Sequence, residues 1–128
     1  MTSDQPRHDP PRILLVDDDA LLQELLAMHL EYGGYAVSTA GNGREAMDRL
    51  ATETPDLIML DMMMPVMDGL QFLRWLRQEQ HSAIPVLALT GMQKPGGDAL
   101  ILDTGANAVL YKPVDHRRLL ASIENLLN

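Results

Sequence analysis

The 128-residue sequence predicts one α/β domain in which helices cover both faces of a parallel β-sheet. Short, continuous apolar runs alternate five times with amphipathic segments along the chain. Continuous apolar runs are typical of strands that are buried on both faces, and the connections are short enough for strand–helix units. With 46% hydrophobic residues, the chain supports a single core.

Five apolar runs are predicted to form the strands. They are Ile13–Val16, Tyr35–Thr39, Leu57–Leu60, Val86–Leu89 and Ala108–Tyr111. The first run is followed directly by Asp17, the third by Asp61, the fourth by Thr90 and the fifth by Lys112. Polar residues therefore mark four of the five strand ends.

Five segments with apolar residues at helical spacing are predicted to form the helices. Their apolar faces begin at Leu21, Ala46, Leu70, Leu100 and Leu119. Gly and Pro have poor helix propensity, so the sequence Lys94–Pro95–Gly96–Gly97 predicts a mobile loop and a fourth helix that starts late, near Asp98. The fourth helix is expected to close near Gly105.

Composition excludes several classes of protein. Ten Lys and Arg against eighteen Asp and Glu give a net charge of −8, which argues against a non-specific nucleic-acid binder. The absence of cysteine excludes a disulfide scaffold and favours a cytoplasmic location. No apolar run approaches the roughly 20 residues of a membrane-spanning helix. Residues 1–11 are predicted to be a flexible polar leader, and residues 12–128 the domain.

The polar strand ends point to one site. In an open parallel sheet, ligands bind beyond the carboxyl ends of the strands, at the point where the strand order reverses. Asp17, Asp18, Asp61, Thr90 and Lys112 should all lie along that edge. Each has an ordinary alternative role as a helix cap, a turn residue or a surface charge. Their coincidence on one edge makes a functional site the better interpretation.

Three carboxylates at one edge need a cation. At 4 Å and an effective dielectric constant of 20, two like charges repel by roughly 4 kcal/mol. Lys112 supplies one positive charge, and a divalent ion would bring the sum close to neutrality. Oxygen ligands favour Mg²⁺, which keeps waters that a phosphate can displace. A carboxylate beside such an ion can become the nucleophile that forms an aspartyl phosphate.

These residues resemble the receiver domain of two-component response regulators. The resemblance covers about residues 12–127 and rests on four segments in the expected order: ILLVDDDA, DLIMLDMMMPVMDG, LALTG and YKP. It implies a flavodoxin-like, doubly wound (βα)₅ fold with strand order 2-1-3-4-5. It also implies a phosphoprotein that switches a signalling pathway, takes its phosphoryl group from a sensor histidine kinase or phosphotransfer protein, and is not an enzyme in its own right.

The resemblance also assigns roles to individual residues. It implies that Asp61 is the phosphoacceptor, that Asp18 binds Mg²⁺ directly and Asp17 through water, and that the main-chain carbonyl of Met63 completes the metal site. Thr90 and Lys112 would contact the phosphoryl group. The output surface would recruit a downstream protein partner through Leu100, Val109, Tyr111, Arg117 and Arg118.

Three departures from the family pattern carry expectations of their own. Val109 stands where the family commonly has Tyr or Phe, whose ring orientation reports the state of the hydroxyl residue. Strand alternation puts Tyr111 on the same face as Val109, so Tyr111 is expected to take over part of that role. The mobile loop at Lys94–Gly97 is expected to make the surface that changes on phosphorylation more flexible. Met63 and Met92 cannot orient water by hydrogen bonding, which predicts a long-lived phosphoryl state; plain packing of the loops is the alternative.

Three other functions use similar residues. A phosphatase or phosphotransferase of the haloacid-dehalogenase type would need a second acid two residues after Asp61, where this chain has Met63. A flavodoxin-like cofactor binder would need a phosphate cradle after the first strand, where Asp17–Asp19 would repel an anion. A third alternative is a receiver that is never phosphorylated and acts as an interaction module. The end of the chain at Asn128 fits either a stand-alone receiver or the receiver part of a longer protein.

Overall fold

Strands and helices alternate along the chain in a computed structural model that describes residues 8–91 and 96–128. The elements are β1 (Arg12–Val16), α1 (Ala20–Tyr32), β2 (Ala36–Ala40), α2 (Gly43–Leu50), β3 (Leu57–Asp61), α3 (Gly69–Arg74) with a π-helical continuation (Trp75–Glu79), β4 (Val86–Thr90), α4 (Gly97–Thr104), β5 (Ala108–Tyr111) and α5 (His116–Leu127). In the described part of the chain no helix is long and apolar enough to cross a membrane.

All five strands are parallel and lie in the order β2-β1-β3-β4-β5. This confirms the flavodoxin-like order expected from the resemblance. The chain leaves β1 toward β2 on one side and then returns to β3 on the other side. The strand order therefore reverses between β1 and β3, which opens a crevice at their carboxyl ends.

The core consists of two apolar layers, one on each face of the sheet. Successive strand residues point to opposite faces, so Ile13 and Leu15 pack with α1 and α5, whereas Leu14 and Val16 pack with α2, α3 and α4. All residues of β3 and β4 are buried. This double burial is the reason that the strands appear in the sequence as continuous apolar runs.

Acidic residues cap three of the helices. Asp19 precedes α1 and accepts hydrogen bonds from the main-chain N–H groups of Leu21 and Leu22, both at 3.1 Å. Asp68 forms a reciprocal capping box with Gln71 at the start of α3. Asp115 accepts from the N–H of Arg117 at 2.9 Å. Part of the chain's acidity is thus used at helix N-termini, where it also suits the helix dipole.

Several boundaries differ by one residue from the sequence-based prediction, and hydrogen bonds or backbone conformation explain two of them. β2 was expected to begin at Tyr35, but the N–H of Tyr35 donates to Leu30 O at 3.1 Å and closes the turn after α1. The ladder begins at Ala36, whose N–H donates to Pro11 O at 2.9 Å. α4 begins at Gly97, one residue before the expected start, after Gly96 in a left-handed conformation with φ 78°. The remainder of the predicted mobile loop, residues 94–95, lies outside the described residues, as do Met92 and residues 1–7 of the predicted leader.

The π-helical segment after α3 was not predicted, and its half-buried Arg77 makes several tertiary hydrogen bonds. The Arg77 guanidinium donates to Gly105 O at 3.0 and 2.9 Å, to Ser82 O at 2.9 Å and to the Asn107 side chain at 3.0 Å. These bonds tie the end of the third helix to the turn between α4 and β5. Arg77 thereby fixes the position of α4 from the end remote from the strand-end crevice.

Candidate functional site

The carboxyl ends of β1 and β3 bring three carboxylates together. Val16 pairs with Leu60 in the parallel ladder, so the next residues, Asp17 and Asp61, follow side by side. Oxygens of Asp17, Asp18 and Asp61 all lie within 4.8 Å of one another. Asp17 and Asp61 are buried, whereas Asp18 is exposed. Among the described residues, these three carboxylates form the one group of acidic side chains close enough together to hold a metal ion.

Asp17 is held rigidly and has one carboxylate oxygen without a hydrogen-bond donor. Its Oδ1 accepts from the N–H of Asp19 at 2.9 Å, and its main-chain O accepts from Gln23 Nε2 at 3.1 Å. Its Oδ2 is buried and has no hydrogen-bond partner among the described residues. The nearest cation to this oxygen is Lys112 Nζ, at 3.7 Å. A buried acceptor without a donor is costly, so this oxygen favours a bound cation.

Asp61 lies between a main-chain donor and the lysine. The N–H of Met63 donates to Asp61 Oδ1 at 3.1 Å, and Lys112 Nζ is 3.3 Å from the same oxygen. Lys112 is positioned by its own N–H, which donates to Thr90 O at 2.8 Å. Thr90 ends the adjacent strand β4 and is 6% exposed. Thr90 thus ends the strand next to that of Asp61, whereas Lys112 directly follows β5, one strand further away, and its side chain reaches back to Asp61.

Burial is the main cause that raises the pKa of Asp61, and the charge of Asp17 raises it further. The Met63 N–H and Lys112 oppose that rise. Burial and the neighbouring Asp61 also raise the pKa of Asp18. With three carboxylates and one ammonium, the pocket carries more negative charge than Lys112 neutralises. All the potential metal ligands are oxygens, and the buried Asp17 Oδ2 receives no hydrogen bond from the described residues. These residues therefore fit a hard divalent cation such as Mg²⁺.

The raised pKa values predict how stability depends on pH in metal-free protein. A carboxyl whose pKa is higher in the folded than in the unfolded state, where it is near 3.8, costs stability at neutral pH. That cost disappears as the pH falls through the folded value. We expect Asp61→Asn to exceed the wild type in free energy of unfolding at pH 7, with a gap that shrinks toward pH 4.

Urea denaturation in EDTA, followed by the fluorescence of Trp75, measures this gap. Millimolar Mg²⁺ at pH 7 is the control, since it should stabilise the wild type and reduce the gap. A gap that stays constant between pH 7 and pH 4 would contradict the electrostatic account of the pocket.

The end of β5 makes a contact with α4 that the sequence did not reveal. The Tyr111 hydroxyl donates to the Asp98 carboxylate in the first turn of α4, and this bond raises the pKa of Tyr111. Tyr111 also pairs with Thr90 across β4 and β5. Val109 and Tyr111 are half-buried, and Leu100, Arg117 and Arg118 are exposed. The predicted output residues are therefore accessible in whole or in part.

A sequence profile shows the family to which this fold belongs. The sequence profile described as "Response regulator receiver domain" matches residues 13–124. The chain belongs to this family, which confirms the resemblance noted from the motifs. Receiver domains of response regulators are switches within two-component systems rather than enzymes.

Individual relatives agree with this assignment. The chain is 42% identical over 118 residues to the response regulator MprA of Mycolicibacterium vanbaalenii, which covers 92% of this chain and 51% of that protein. MprA of Mycobacterium avium is 41% identical over 116 residues, covering 91% and 50%. The chain thus spans about half the length of these curated relatives.

Solved structures show the same fold. The chemotaxis protein CheY4 of Vibrio cholerae superposes with a TM-score of 0.84 at 33% identity, covering 91% of this chain and 98% of that one. The receiver domain of the Francisella response regulator 1452 gives a TM-score of 0.86 at 27% identity, covering 91% and 96%.

Proposed function

We propose that this chain is a phosphoacceptor switch of a two-component system, with Asp61 as the residue that takes the phosphoryl group. The observation that carries the proposal is the setting of Asp61. It is 2% exposed at a strand end, 3.3 Å from Lys112 and within 4.8 Å of two further carboxylates. Lone surface aspartates have no such surroundings. The phosphodonor is proposed to be a sensor histidine kinase or a phosphotransfer protein.

The transfer reaction needs a nucleophile and a neutralised pocket. An Asp61 carboxylate oxygen attacks phosphorus, the bond from phosphorus to the donor's histidine nitrogen breaks, and the released imidazole takes a proton from solvent. Asp17, Asp18, Asp61 and the carbonyl of Met63 would hold Mg²⁺. That ion, when bound, supplies positive charge for the phosphoryl oxygens.

Two side chains complete the phosphoryl site. The Lys112 ammonium, which contacts Asp17 and Asp61, is placed to pair with a phosphoryl oxygen once Mg²⁺ neutralises the carboxylates. The Thr90 hydroxyl lies at the end of the neighbouring strand and would donate to another oxygen. Both groups interact most strongly with the added charge, so they favour the phosphorylated state.

The output surface is proposed to lie on α4, β5 and α5. A downstream protein partner would contact Leu100, Val109, Tyr111, Arg117 and Arg118. The bond from Tyr111 to Asp98 joins β5 to α4 and offers a route from the phosphoryl site to this surface. Unchanged NMR chemical shifts of the Tyr111 ring after addition of a phosphoryl analogue would exclude that route.

Intact mass measures the proposed reaction. The protein is incubated with Mg²⁺ and acetyl phosphate, and a single added phosphate of about 80 Da is the expected product. Asp61→Asn should remove the adduct. Asp68→Asn is the matched control, because Asp68 caps α3 nearby and Asn is an equally good cap.

Each other outcome of that experiment has a defined meaning. An adduct that persists in Asp61→Asn would place the phosphate on another residue. No adduct under any condition would favour a receiver that works by binding alone, with the acidic edge used for partner contacts.

A further inference from the structure

The methionines beside the phosphoryl site differ sharply in exposure. The chain has nine methionines, and several of them lie next to Asp61 in the sequence. Met59, Met62 and Met64 are 0%, 7% and 8% exposed, whereas Met63 is 61% exposed. Oxidants reach an exposed thioether far more readily than a buried one. Among the methionines described near the β3 strand end, Met63 is therefore the most exposed.

The position of Met63 relative to the reacting group is fixed by its backbone. Its N–H donates to Asp61 Oδ1 at 3.1 Å, so residue 63 cannot drift away from the carboxylate without losing that bond. Met63 also lines, with Thr90, Leu100 and Ile101, a mainly apolar cavity of about 240 Å³ between the β3–α3 loop and α4. A change in the chemistry of this side chain therefore alters a cavity wall to which Thr90, the hydroxyl residue of the candidate site, also belongs.

We propose that Met63 is an oxidative modification site that shortens the lifetime of the phosphoryl group. The oxidant is hydrogen peroxide. A sulfur lone pair attacks one peroxide oxygen, the O–O bond breaks, and the products are methionine sulfoxide and water. The sulfur is oxidised by two electrons and the peroxide is reduced by two. The lifetime effect rests on the proposed function, whereas the oxidation itself does not.

The sulfoxide changes what residue 63 can do to water. A thioether is a weak hydrogen-bond acceptor, whereas a sulfoxide oxygen is a polar one. Beside the phosphoryl group, that oxygen can accept a hydrogen bond from a water and orient it toward phosphorus. The water oxygen then bonds to phosphorus, the bond from phosphorus to Asp61 breaks, and the proton leaves to solvent. Oxidation should accelerate loss of the phosphate at least threefold.

Peptide mapping of unphosphorylated protein tests the modification. Brief treatment with hydrogen peroxide should convert Met63 to the sulfoxide at least ten times faster than Met59. Met28 on α1 is the internal standard, since it is 63% exposed and belongs to another element. Oxidation of Met63 no faster than that of Met59 would overturn the proposal.

Phosphate loss after rapid removal of donor tests the consequence. Each protein is compared with its own untreated sample. Peroxide should shorten the lifetime at least threefold in the wild type and in Met28→Leu, and leave it unchanged in Met63→Leu. Methionine sulfoxide reductase should restore the long lifetime. Equal acceleration in Met63→Leu, or none in the wild type, would overturn the inference. Failure of untreated wild type to accept phosphate would instead refute the proposed function.

Discussion

Asp17→Asn is expected to weaken Mg²⁺ binding at least tenfold while it stabilises the metal-free protein. The substitution removes one negative charge from the group of three acids and leaves the acceptor for the Asp19 N–H in place. A cation loses a charged neighbour, so affinity falls by at least about 1.4 kcal/mol. Isothermal titration calorimetry with MgCl₂ measures this change.

The gain in stability has the same electrostatic origin. Asp17 Oδ2 is buried without a hydrogen-bond donor, and its charge raises the pKa of Asp61. Removing that charge should raise the free energy of unfolding in EDTA by about 1–2 kcal/mol, because the repulsion between close carboxylates exceeds the attraction lost to Lys112. Asp19→Asn is the matched control: Asp19 is exposed, and Asn caps a helix as well as Asp does. Equal Mg²⁺ affinities in the two variants would contradict the assignment of Asp17.

Lys112→Met is expected to slow phosphorylation of Asp61 about a hundredfold and to leave Mg²⁺ binding intact or tighter. The ammonium is 3.3 Å from Asp61 Oδ1 and 3.7 Å from Asp17 Oδ2. Without it the pocket is more negative, which attracts a divalent cation but disfavours an incoming phosphoryl group. The hundredfold loss corresponds to about 2.7 kcal/mol of transition-state stabilisation, which is typical for one positioned donor.

Two measurements separate this effect from general damage. The rate comes from the time course of the intact mass with acetyl phosphate, and the affinity from calorimetry on the same sample. Lys112→Arg keeps the charge and should retain part of the rate. A parallel loss of both Mg²⁺ affinity and rate in Lys112→Met would mean that Lys112 serves the structure of the pocket rather than the phosphoryl group.

The fold was predictable because its three central strands, β1, β3 and β4, are buried on both faces. Runs such as Leu57–Leu60 then appear as unbroken apolar segments, and the intervening helices keep their own period. The start of β2 was less certain because it depends on a distant partner: Ala36 begins the ladder by donating to Pro11 O. The π-helical segment was not predicted, since Trp75 and Leu76 continue the apolar spacing of the third helix.

The sequence predicted that the side chains of the candidate site would lie together, but it did not predict the hydrogen bonds around them. Parallel strands carry their carboxyl ends to one edge, so Asp17, Asp61 and Lys112 were assignable from position alone. The sequence contained no signal that Gln23 would fix the backbone of Asp17, or that Tyr111 would donate to Asp98. Such bonds depend on side-chain directions that only the packed structure determines.

The most direct test of the central claim is to identify the residue that carries the phosphate. Borohydride reduces an aspartyl phosphate to homoserine, which tandem mass spectrometry locates in the sequence. After incubation with acetyl phosphate and Mg²⁺, homoserine is expected at position 61 and at no other acid, and EDTA should prevent its formation. Homoserine at position 17, 18 or 68, or its absence from a protein that has gained phosphate, would contradict the assignment of Asp61 as the phosphoacceptor.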